Sequence, residues 1–297
     1  MGSIFGPGFF ENSPVQVALI VGTVVAAVSA LVGVFAVIRS EAFSGHALAD
    51  LGAAGGSGAF LLGVNQLWGF VVVAAVAAGA IDLIGLRRPR GRDLATGIVL
   101  GAGLGLAALF LYLDTTSSHT TGAPVTILFG SIFAIDGSLI PVIVGLGAVS
   151  LATVLLLYRM LLLTSLSPEM AAAQGVPLRM VGVGYLVSLA LAVALSAMTI
   201  GAVLSTALLI GPAACALRLT KRPAWALVLA ALIGIVITWL SIALAYDSYY
   251  WPPGGRGWPV SFFVVALIFT VYLVTRLPLG ERCDRRPDRA PARLAGG

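Results

Sequence analysis

Stretches of about 20 apolar residues recur along the chain, separated by short segments rich in Arg, Asp, Gly and Pro, and each is long enough to cross a bilayer as a helix. They cover residues 15–38, 44–64, 67–86, 94–113, 139–158, 181–197, 199–217, 224–245 and 260–277. Nine crossings are expected. The run Thr126 to Ile135 has ten residues, too few to cross, and predicts a re-entrant half-helix between 114–125 and Asp136. The expected fold is all-α, a polytopic membrane helical bundle. Two further segments stand outside the spans. In TSLSPEMAAAQGVP (164–177), Ser167 is placed to cap a helix starting at Pro168, Glu169 falls in its first turn and Gly175 ends it. In YDSYYWPPGGRGW (246–258), Tyr and Trp are of the kind that sit at headgroup level.

Composition supports the pattern: 59% of the 297 residues are hydrophobic, 10% are charged, and mean hydropathy is +1.05, outside the range of soluble domains. No Lys or Arg precedes Arg39, so the first span is expected to stay rather than be cleaved as a signal. Met1-Gly2 is followed by Gly6, which fails the myristoylation pattern. Cys215 and Cys283 imply no disulfide framework. The sequence pI near 9.6 reflects basic clusters between spans and not a nucleic-acid surface. With the N-terminus outside, every Lys and Arg except Arg256 falls on the cytoplasmic side, and Glu11, Asp114, Asp136 and Asp247 fall outside. A transmembrane domain is expected over 1–278, followed by a basic, disordered cytoplasmic tail over 279–297. Gly97, Gly101 and Gly105, and Gly52 with Gly56, form small-xxx-small steps expected to bring helices of the bundle together.

Several chemistries lack their nuclei. The single lysine, Lys221, lies in TKRP and not in a phosphate-binding loop, so the chain is expected to have no ATPase site of its own. No nucleophile elbow, His-Glu-x-x-His or Cys-x-x-Cys is present. What remains is His46 and Asp50, four residues apart and therefore on one helical face, where an imidazole and a carboxylate converge on one divalent ion. An unpaired Asp50 in hydrocarbon would cost about 2.5 to 3.5 kcal/mol, which favours a cavity, a partner or a cation. The plainer alternative is a packing hydrogen bond. Asp82 is expected to pair with Arg87 or Arg88, His119 to be a solvated loop residue, Asp136 to cap the helix that follows it, and Cys215 to be a small buried apolar group.

The motif Arg39-Ser40-Glu41-Ala42-Phe43-Ser44-Gly45-His46-Ala47-Leu48-Ala49-Asp50 resembles the second-helix signature of the zinc/manganese permease family of binding-protein-dependent ABC importers, commonly Arg-x-x-Ala/Ser-Phe-x-Gly-Asp-Ala-Leu-Ser-His. Arg92 to Ile98, Leu128-Phe129-Gly130-Ser131-Ile132, Ser167 to Pro177 and Gly201 to Ala214 resemble further segments of that family in order and spacing. The family carries Asp first and His second; here the two are exchanged. The resemblance implies a type II ABC importer-like bundle working as a homodimer, with cytoplasmic ATPase subunits below and an extracellular solute-binding protein above. It implies transported zinc or manganese, no permanently bound cofactor, His46 and Asp50 along the pathway, and an ATPase-coupling segment of Ser167, Pro168, Glu169, Met170, Ala171, Gln174 and Gly175. A permease for a metal chelate, an ATPase-independent ion-coupled carrier and a membrane enzyme are the competing readings, in falling order.

Overall fold

In the computed structural model, residues 9–85, 92–117, 122–251 and 257–276 are described. Among them the secondary structure is entirely helical: α1 (Ser13–Ile38), α2 (Ala42–Leu61), α3 (Gln66–Gly85), α4 (Arg92–Ser117), α5 (Gly122–Phe129), α6 (Ile140–Leu166), α7 (Pro168–Ala173), α8 (Leu178–Ile200), α9 (Ala202–Leu219), α10 (Pro223–Ser248) and α11 (Val260–Arg276). Two short 3-10 turns, Ile132–Ala134 and Gly137–Leu139, follow α5. By length and composition, six segments, coinciding with α1, α4, α6, α8, α9 and α10, are able to cross a membrane; α3 and α11 are shorter apolar helices. All nine expected spans are helices. His119, Arg256 and the basic tail lie outside the described residues, as does the side chain of Asp82.

The core is built around α1 and α8, whose apolar windows are mostly buried, whereas α4 and α6 lie at the periphery and expose most of theirs. α2 packs between α3 and α4 and also touches α8 and α9. Small residues permit this closeness. A side chain at Gly55 would overlap the backbone of Gly69 on α3, and Gly52 and Gly56 press on the ring of Phe70. The other small-xxx-small expectation needs correction: Gly97, Gly101 and Gly105 meet nothing within van der Waals range inside the protomer. Gly97 is half-buried and the other two are exposed.

The half-helix α5 does not cross. It ends at Gly130 (φ +76°), which lies against the α8–α9 junction at Gly201 (φ +96°). Neither glycine has room for a side chain, because each would overlap the other strand of backbone. Both adopt a conformation that other residues rarely take. At the α1–α2 turn the same left-handed backbone is held by Ser40 (φ 56°), with the Glu41 N–H donating to the Ala36 carbonyl at 2.8 Å.

A histidine–aspartate pair on the α2 helix

The chain turns out of α1 at Arg39 and enters α2 through Glu41. Arg39 does more than mark a basic end. Its Nε and Nη2 each lie 3.3 Å from Glu41 Oε1, its Nη1 lies 3.1 Å from Thr164 Oγ1 in the last turn of α6, and its guanidinium stands 5.2 Å over the Tyr185 ring of α8. One side chain thus ties together the start of α2, the end of α6 and the body of α8. Charge counting missed this. The Arg-x-Glu spacing was the available signal.

One turn into α2, His46 Nε2 lies 3.5 Å from Asp50 Oδ2. The expected shared face is formed, and the two side chains differ sharply in exposure: 45% for His46 and 9% for Asp50. The carboxylate is therefore sunk into the bundle, and the imidazole stands partly open on the protomer surface. Around them Ser44, Gly45, Ala47, Leu48 and Ala49 are buried. Among the described residues no group of three or more His, Cys, Asp or Glu is placed to hold a metal, so one protomer brings two donors.

The segment after α6 folds as its sequence dictates. The Ser167 hydroxyl accepts a 3.3 Å hydrogen bond from the Met170 N–H, Pro168 opens α7, Glu169 lies in the first turn, and Gly175 (φ +76°) follows the end. Ala171 is its buried anchor, while Glu169, Met170 and Gln174 are exposed. α7 touches only the neighbouring α6 and α8 to any extent, leaving an exposed knob three residues beyond the Thr164 that Arg39 holds. Asp136 accepts a hydrogen bond from Ser138 N–H at 3.0 Å and caps the 3-10 turn before α6. Cys215 is buried and free. Asp114, expected just beyond its span, instead lies within the last turn of α4 and is fully buried.

A bundle of apolar helices with a His–Asp pair on one of its inner helices, and with no nucleotide-binding loop in its sequence, has the build of a membrane permease. The chain belongs to the ABC 3 transport family, which matches residues 12–275, and is the membrane subunit of an ABC importer. It is 31% identical over 246 residues to the manganese transport system membrane protein MntC of Halalkalibacterium halodurans, covering 80% of this chain and 83% of that one. It is 29% identical over 236 residues to the high-affinity zinc uptake system membrane protein ZnuB of Haemophilus influenzae, covering 78% and 88%. Among solved structures, PsaBC from Streptococcus pneumoniae in complex with Fab superposes with a TM-score of 0.76 at 26% identity, over 90% of this chain and 92% of that one. An inward-facing putative metal-chelate type ABC transporter shares the fold, with a TM-score of 0.72 at 17% identity.

Proposed function

We propose that the chain forms the translocation path of an importer for a divalent first-row metal ion, manganese or zinc, and acts as a homodimer. One observation carries the reading: His46 and Asp50 stand 3.5 Å apart on α2 with no third ligating side chain grouped with them among the described residues. Two donors are half of the four that zinc takes. A second copy, related by a two-fold axis that passes the open side of His46, doubles the set to two imidazoles and two carboxylates. Imidazole and carboxylate suit zinc and manganese. The relatives named for manganese and zinc transport support the same cargo.

The ion is substrate here, and no resident cofactor is invoked. In this reading the N-terminus is external and the basic ends of the helices are cytoplasmic. A binding protein delivers the ion outside, and α7 docks on separate ATPase subunits inside. Closure of those subunits displaces α7, and the cavity bearing His46 and Asp50 changes the side to which it opens. No nucleic acid takes part.

The test is uptake of radioactive manganese and zinc by vesicles holding the complete transporter. Asp50→Ala and His46→Ala should each cut uptake by at least about tenfold, as loss of a ligand does when loss of a mere supporting group costs 10-fold to 100-fold. Uptake of a metal chelate, indifferent to Asp50→Ala, would move the assignment to the chelate permeases. Failure to form a stable complex with the ATPase subunits would favour an ion-coupled carrier.

A further inference from the structure

Asp114 is fully buried, and neither of its carboxylate oxygens has a hydrogen-bond partner. It belongs to the strip of α4 formed by Thr96, Gly103, Ala107 and Asp114, all buried, spaced at intervals of seven and four as one helical face requires. That strip faces α2. A side chain at Gly103 would overlap Leu51, and one at Gly58 would meet the ring of Phe110 at 3.3 Å. The two helices therefore run in parallel with a constant register, Leu51 beside Gly103 and Gly58 beside Phe110, which brings Asp114 level with Leu62, the C-cap of α2.

Each circumstance at that point disfavours a lone negative charge. The carboxylate is removed from water, a penalty that makes a buried acid pair, bind a cation or take up a proton. It lies in the last turn of its own helix, where the macrodipole presents its negative end. By the same register it is level with the last turn of α2, whose negative end points the same way. A bound cation relieves all three at once, and in its absence a proton on the carboxyl does so. In the same register Asp50 lies level with residue 102, so Asp114 stands twelve residues further along the same helix pair, about 18 Å at the rise of an α-helix. The half-helix α5, packed against both α2 and α4, closes that end.

We propose that Asp114 is a second station for a divalent cation, on the entry side of the path, held shut in this conformation by the bundle end that α5 covers. This rests on the proposed metal-import reading. It adds a carboxylate that takes the ion before the His46 and Asp50 pair does.

The experiment uses the complete transporter in vesicles, with manganese or zinc delivered by its binding protein, and compares wild type, Asp114→Asn and Asp114→Glu. Asn keeps the shape and removes the charge. The expected result is uptake about tenfold slower for Asp114→Asn, the factor that about 1.4 kcal/mol of lost cation stabilisation gives, with partial recovery in Asp114→Glu. The metal-free melting temperature should be unchanged or raised, because an uncompensated charge has gone. Wild-type uptake in Asp114→Asn overturns the proposal. So does failure of Asp114→Asn to assemble, which would make the carboxylate a structural partner. If the wild-type transporter moves neither metal, the broader import reading fails instead, and the two failures are thereby distinct.

Discussion

Arg39 ties the start of α2 to the end of α6 and the body of α8, and its removal has a calculable effect. Arg39→Ala breaks an ion pair whose side chains are 15% and 10% exposed, leaving Glu41 in a nearly buried place. Breaking a fully buried pair costs about 3 to 5 kcal/mol. Residual exposure reduces this, and the lost charge-assisted bond to Thr164 and the contact with the Tyr185 ring add to it. A net loss of about 3 kcal/mol is expected. Arg39→Lys keeps the charge without the planar fork that reaches two acceptors, and should lose about half as much. The functional consequence is more specific than instability. Thr164 precedes the cap of α7 by three residues, and Glu41 precedes His46 by five, so Arg39 is a polar link between the exposed α7 knob and the helix that carries His46 and Asp50. In vesicles, Arg39→Ala should hydrolyse ATP at an appreciable rate but move fewer ions per ATP than wild type. The purified variant should also melt several degrees lower, about 2 to 4 °C for each kcal/mol in a chain of this size. An unaltered melting temperature, or an unaltered ratio of ions moved to ATP spent, would refute the reasoning.

Other substitutions probe separate parts of the molecule. Gly201→Ala places a methyl group against the Leu128 carbonyl at a backbone conformation that glycine alone takes easily, and should cost about 3 kcal/mol or abolish the folded yield in a detergent melt. Gly97→Ala, with open space around it in the protomer, should raise the intrinsic helix stability by up to about 1 kcal/mol in the same assay. Ser167→Ala removes the α7 cap at a cost of about 1 kcal/mol and should weaken transport while leaving metal binding to His46 and Asp50 intact, as measured by calorimetry. Asp136 is held below the usual carboxylate range by hydrogen bonds from the Ser138 backbone and side chain, so its contribution is present above the ordinary carboxylate value and fades as pH falls through the lowered one. Asp136→Asn should accordingly flatten the acid side of the stability profile in a pH-scanned melt.

Among the described residues, most of the long helices were legible because about twenty apolar residues in a row leave little choice, but their ends were not. The expected fourth span stopped at 113, yet α4 continues to Ser117, and α6 runs eight residues beyond the expected 158. In both cases hydroxyl residues extend the helix by bonding back to it: Thr115 and Thr116 to the Tyr112 carbonyl, Thr164 and Ser165 to the Leu161 carbonyl. Such residues read as loop in a hydropathy pattern because their polarity is visible and their partner is not. The same blindness hid Asp114, which looked external by composition and is interior by register. The glycine stripe on α4 failed for the opposite reason, since small residues announce close approach without naming the side on which it happens.

The pair on α2 was singled out by its spacing together with the resemblance carried by Arg39 to Asp50, and the structure explains why that helix can carry it. α2 is missing from the six segments apolar enough to cross by composition, although nearly all its residues from Ser44 to Ser57 are buried. Glycine and alanine let α3 and α4 close around it, so hydrocarbon is kept away by neighbouring helices and the helix does not need large apolar side chains of its own. A carboxylate placed there escapes lipid without reaching water, and its nearest polar neighbour is an imidazole one turn away. The exchange of His and Asp relative to the resembled signature follows from the same geometry. Residues 46 and 50 are one turn apart on one face, and an ion between two such turns is served by either order of donors. The double variant His46→Asp/Asp50→His should therefore bind manganese or zinc more tightly than either single change, a positive coupling that a merely structural hydrogen bond between buried Asp50 and half-open His46 would not produce, because the exchange would move the carboxylate to the open position.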